Sequence, residues 1–98
     1  MITKRFSKGD VAKVTFAVNP QADVEGVSLI CESFGWDPIP MDGTATGDWI
    51  VQVQLPVDQE IQFRYLASGG IWLNDTAADS YVDTGHGIVN SVVNTHRS

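Results

Sequence analysis

The chain has 98 residues, twelve Asp and Glu against six Lys and Arg, and a net charge of −6. That length holds one domain with one modest core. The charge excludes nucleic acid and anionic membranes as partners, since both need a positive surface. Cys31 is the only cysteine, so neither an intrachain disulfide nor a thiolate metal cluster is expected. The opening segment has no apolar run behind its cations, and no stretch reaches the length of a membrane span. A cytoplasmic address is the expectation.

The predicted elements are short and alternate with a period of two. In Val11 to Val18, Val14, Phe16 and Val18 share one side, with Lys13 and Thr15 on the other; Asn19-Pro20 ends the run. Val27, Leu29 and Cys31 alternate against Ser28, Ile30 and Glu32. Gly35 to Gly47 reads as a loop. Trp49, Val51, Val53 and Leu55 then point one way and Ile50, Gln52 and Gln54 the other. Pro56 to Gln59 makes a turn. Ile61, Phe63, Tyr65 and Ala67 face inward, with Gln62, Arg64 and Leu66 outward. Gly69-Gly70 is a hairpin turn into Ile71-Trp72-Leu73. A single helical turn is expected at most, over Thr76 to Ser80, and a last strand runs from about Val89 to Thr95. The pattern predicts two packed antiparallel sheets, an all-β sandwich.

Three tryptophans invite a functional question. Trp49 is in phase with Val51, Val53 and Leu55 and reads as core. Trp36, within Phe34-Gly35-Trp36-Asp37-Pro38, and Trp72, just after the glycine turn, either plug the ends of the sandwich or stand exposed. Arg64 lies on the outward side of its strand, where its planar fork suits hydroxyl or carboxylate partners. Catalytic motifs are absent. His86 and His96 are the only histidines, and Asp75, Asp79 and Asp83 recur every four residues without a helix to align them. No catalytic residues, metal ligands or cofactor are assigned, and no enzyme activity is expected.

The order of elements resembles a known family. Phe34-Gly35-Trp36, Pro38 to Met41, Gly47-Asp48-Trp49, Leu55-Pro56, Gln62-Phe63-Arg64-Tyr65-Leu66, Trp72-Leu73-Asn74-Asp75 and Gly87-Ile88-Val89-Asn90 follow one another as in the isoamylase N-terminal, or early set, domains. These are the family 48 carbohydrate-binding modules, which include the glycogen-binding domain of the AMP-activated kinase β subunit. The resemblance runs from about Val11 to Thr95 and implies that residues 1–98 form one immunoglobulin-like (early set) antiparallel β-sandwich. It further implies a non-catalytic module for α-1,4-glucans: glycogen, starch or maltooligosaccharides. By position, Trp36 and Trp72 would stack on sugar rings, with Arg64 and Asn90 hydrogen-bonding hydroxyls. The chain departs from the family pattern at Cys31 to Phe34, His86 and Ile88. The alternative reading is a protein-interaction or regulatory module, docking on a glycogen-metabolising enzyme or on itself through a patch of Ile30, Ile50 and Leu66.

Overall fold

The computed structural model describes residues 1–6 and 9–97. Among them are ten strands: β1 (Ile2–Phe6), β2 (Val11–Val18), β3 (Val27–Cys31), β4 (Ile39–Pro40), β5 (Asp42–Gly43), β6 (Trp49–Pro56), β7 (Glu60–Ala67), β8 (Ile71–Leu73), β9 (Ser80–Asp83) and β10 (Val89–Asn94). A 3-10 turn, Glu32–Phe34, is the one helical element among the described residues. No helix among the described residues is long and apolar enough to cross a membrane.

The strands form two antiparallel sheets, one ordered β1-β2-β6-β5 and the other β4-β3-β7-β10-β9, with β8 also on β7. β7 organises the second sheet. β3 pairs with it from Phe63 to Ala67, while β10 takes the opposite edge as far as Phe63 and β8 continues that edge from Tyr65. The inward residues of the predicted strands make the core between the sheets. Val14, Phe16, Leu29, Cys31, Leu55, Ile61, Phe63, Tyr65 and Val93 are all fully or almost fully buried. Phe16 meets Phe63 edge to face at 4.8 Å, and Phe63 meets Tyr65 at 5.6 Å. Each such pair adds about 0.5–1.5 kcal/mol beyond the area it buries.

The predicted loop Gly35 to Gly47 holds two short strands, β4 paired with β3 and β5 with β6, each of two residues and so too short for alternation to show. Two further places depart from the sequence expectation. β1 pairs with β2 from Ile2↔Phe16 to Phe6↔Ala12, although Lys4 falls on its inward side. Lys4 reaches the Asp79 carboxylate at 2.6 Å, and the same carboxylate oxygen accepts the Asn94 backbone N–H at 2.7 Å. An inward charge on an edge strand also discourages edge-to-edge pairing with other chains. At Thr76 to Ser80 the turn is confined to Thr76 and Ala77, and Ser80 already belongs to β9. β9 is exposed along its whole length, so no alternation marks it.

Asp75, in the connection from β8 to β9, is only 1% exposed. Its Oδ2 accepts the Tyr65 hydroxyl at 2.7 Å and the Met1 amino group at 2.6 Å, while Oδ1 accepts the Ala77 N–H at 2.8 Å. Its backbone is held too: the N–H donates to Ser91 Oγ at 3.0 Å, and the carbonyl accepts the Tyr81 hydroxyl at 2.6 Å. Burial, together with the adjacent carboxylate, holds the Tyr65 phenol far above its ordinary pKa, so it stays a donor. Tyr65→Phe should therefore cost about 1–3 kcal/mol, the penalty for leaving a buried acceptor short of a partner, measured as a lowered midpoint in urea.

Cys31 lies on the inward side of β3, and burial pushes its thiol up to about 11. It should resist a thiol reagent at pH 8 in buffer and titrate fully in denaturant. The sign follows from linkage: the folded thiol stays neutral while the unfolded one ionises near pH ~8.5, so this contribution to stability fades as pH rises above that value.

Candidate functional site

Side chains at alternate positions of β3, β7 and β10 point away from the core, onto the outer face of the second sheet. Ile30 on β3 lies opposite Arg64 on β7, and Trp72 on β8 lies opposite Leu66, one pleat further along. Asn90 precedes Ser91, the β10 partner of Phe63, and so projects beside Arg64. Trp36 arrives from the loop after β3. Ile30, Trp36, Arg64, Trp72 and Asn90 together line a shallow groove of about 340 Å³. The four sequence-predicted site residues are thus brought to one place, over a floor made by Ile30.

Local chemistry positions each side chain. At the end of β3 the chain tightens into the 3-10 turn and closes in a Schellman arrangement. Gly35 N–H donates to the Glu32 carbonyl at 3.0 Å and Trp36 N–H to the Cys31 carbonyl at 3.1 Å. Gly35 takes φ 66°, for which a residue without Cβ is suited. Trp36 follows with φ 64°, a conformation that costs a bulky residue on the order of 1–3 kcal/mol. The Glu32 carboxylate accepts the Gln62 backbone N–H at 3.0 Å and ties this turn to β7.

Both groove tryptophans are open to solvent, Trp36 at 42% and Trp72 at 46% exposure. The Arg64 guanidinium carbon sits 4.6 Å from the centre of the Trp72 ring, a cation–π contact that fixes both groups. Arg64 Nε is buried without a hydrogen-bond partner, and among the described residues no carboxylate pairs with this side chain. Asn90 donates from Nδ2 to Gln62 Oε1 at 2.9 Å, which orients its carbonyl oxygen as a free acceptor. The groove therefore offers two aromatic faces, a cationic donor and a neutral acceptor on an apolar floor.

The expected patch of Ile30, Ile50 and Leu66 does not form. Ile30 is only 5% exposed, because it is the floor of this groove. Ile50 belongs to β6, in the other sheet, so it cannot share a face with Leu66 on β7. The three aspartates at four-residue spacing also separate: Asp75 is buried, Asp79 pairs with Lys4, and Asp83 accepts the Gly85 N–H in the β9–β10 turn. Among the described residues no group of three or more His, Cys, Asp and Glu is placed to hold a metal ion. Sequence reading missed the groove role of Ile30 and the brace that Gln62 gives Asn90. The outward phase of both residues was the available signal.

No protein-family model matches the chain, and no curated protein matches it. Solved structures do. The enterobactin esterase FES from Shigella flexneri, crystallised in the presence of enterobactin, superposes with a TM-score of 0.76 at 13% identity, over 96% of this chain and 32% of the esterase. The ferric enterobactin esterase from Salmonella typhimurium superposes at 0.73 with 13% identity, over 96% of this chain and 34% of that one. The chain spans about a third of the length of those esterases. At this identity what is shared is the β-sandwich fold.

The Schellman turn yields a direct test. A Cβ at Gly35 would meet nothing within 4 Å, so Gly35→Ala carries a purely conformational penalty. We expect a loss of about 1–2 kcal/mol, read from chemical denaturation, with Gly35→Asn losing less because asparagine tolerates positive φ.

Proposed function

We propose that this chain is a non-catalytic binding module for α-1,4-glucans. The observation that carries the reading is the convergence of Trp36, Arg64, Trp72 and Asn90 on one open groove. A pyranose ring presents an apolar C–H face to an indole and a rim of hydroxyls that need both donors and acceptors. Trp36 and Trp72 supply the faces, Arg64 the donors and Asn90 the acceptor. The resemblance to the family 48 carbohydrate-binding modules assigns the same four positions to sugar. The reading goes with glycogen, starch or their fragments as ligand, and with a cytoplasmic address.

Neutral sugar suits the electrostatics. Arg64 has no ion pair among the described residues, so its donors need not be released from a carboxylate first. Two ring stacks at ~1 kcal/mol each, with two or three net hydrogen bonds, give an affinity of roughly millimolar to tens of micromolar.

Titration with maltoheptaose, followed by amide and indole NMR shifts, tests the reading. Saturable shifts are expected around Trp36, Arg64, Trp72 and Asn90. Trp36→Ala and Trp72→Ala should stay folded and each weaken binding about fivefold, the equivalent of ~1 kcal/mol. An absence of shifts at sugar well above ~1 mM would overturn it.

A further inference from the structure

We infer that two copies of this chain pair through the open edge of β9, joining their second sheets into one. The pairing stands on the edge itself and is independent of the glucan reading. β9 ends the second sheet, with β10 on one side and, among the described residues, no strand on the other. All four of its residues, Ser80 to Asp83, are exposed.

The ladder sets which groups face out. Positions along an antiparallel pair alternate between those that exchange backbone hydrogen bonds and those that do not. Thr84 N–H donates to the Ile88 carbonyl at 2.9 Å, just beyond the Asp83↔Val89 pair. Even-numbered positions of β9 therefore turn their N–H and C=O toward β10, and Tyr81 and Asp83 turn theirs to the open edge. The other outer strands are blunted against such pairing. β1 carries the inward Lys4, β4 and β5 have two residues each, with Pro40 in β4, and β8 has three. β9 has four, without lysine, arginine or proline.

A second copy fits this edge because the segment is complementary to itself. With a two-fold axis at Val82, Tyr81 pairs with the partner's Asp83 and Asp83 with the partner's Tyr81, so every outward backbone group finds a mate. Val82 then meets the partner's Val82, and Ser80 the partner's Thr84, at the closer spacing of non-hydrogen-bonded pairs. Charge selects this register. Asp79 falls opposite the partner's Gly85, and no two carboxylates oppose. An axis at Tyr81 would set Asp79 against the partner's Asp83, and an axis at Asp83 would set that carboxylate against its own copy. Like charges directly opposite are destabilising.

The axis runs perpendicular to the sheet and keeps both outer faces on one side. Val82 pairs with Asn90, so the two copies of Asn90 stand three strand spacings apart, about 14 Å. The two grooves then open in the same direction. Pairing of four residues buries far less than the ~1,200 Å² of a stable interface, so the dimer is weak, with a Kd on the order of 1 mM.

The test is run without sugar, so its failure is distinct from failure of the glucan reading. The amide resonances of Tyr81 and Asp83 should move as the protein is concentrated toward ~1 mM. Val82→Lys, which opposes two ammonium groups on the axis, should abolish that movement while still unfolding cooperatively in urea. Val82→Cys brings two thiols within disulfide reach, with Cα atoms about 4.5 Å apart. Ser80→Cys leaves them about 13 Å apart along the strand. Mild oxidation should link Val82→Cys into a dimer about tenfold faster than Ser80→Cys, with buried Cys31 taking no part. Equal linking rates, or amide shifts that ignore concentration, overturn the pairing.

Discussion

A carboxylate sealed under the β8–β9 connection is the constraint on which the groove depends. An ionised group removed from water is tolerated only where donors surround it. The Asp75 side chain has three, from Tyr65, Ala77 and Met1, while its backbone is held by Ser91 and Tyr81. β8 has only three residues, too few to be secure on its own. The chain leaving it is pinned again by Asn74, whose Nδ2 donates to the Val89 carbonyl at 2.8 Å and whose Oδ1 accepts the Ser91 hydroxyl at 2.9 Å. Polar bonds at the end of the sandwich thus fix where β8 lies against β7, and with it where Trp72 stands.

The other wall is set by different means. Trp36 is in no strand, and its position comes from a two-bond turn closure and from Glu32, which takes the Gln62 N–H just beyond the point where β3 stops pairing with β7. Both walls therefore refer to β7. Its inward side carries Ile61, Phe63, Tyr65 and Ala67 into the core, and its outward side carries Gln62, Arg64 and Leu66 onto the outer face that holds the groove. One strand couples the best-packed part of the molecule to its most open part, so the groove floor inherits the rigidity of the core.

What the sequence made legible follows the same division. β2, β6 and β7 could be read from alternation because each has one buried face and one open face, the condition under which a period of two carries information. β1 and β9 could not. β1 points a lysine inward toward Asp79, and β9 lies wholly in solvent at a sheet edge, so the pattern that marks a strand is missing from both. Position left Trp36 and Trp72 undecided between end-plug and exposed platform; only the order of motifs placed them with Arg64 and Asn90. The outward phase of Ile30 was correctly legible, but not its cover, since the side chains that bury it come from a loop and from other strands. Asp75 was invisible as an anchor because three of its five partners, Tyr65, Ser91 and Met1, lie from ten to seventy-four residues away.

Three departures from local rules meet in this groove. Trp36 holds a backbone conformation that bulky residues avoid, two indoles stand nearly half exposed, and Arg64 Nε is buried without an acceptor. Each feature is unfavourable for a free sandwich, and none is required by the core, which is aromatic-rich and well buried. Among the described residues, the one buried side-chain polar atom without a partner, Arg64 Nε, lies in this groove, while the sealed Asp75 carboxylate is fully served by donors. Backbone strain also occurs at Gln21 and Asp58, away from the groove. What sets the groove apart is therefore the combination of a strained aromatic residue, a second exposed indole and a buried Arg64 Nε on a floor continuous with a rigid strand.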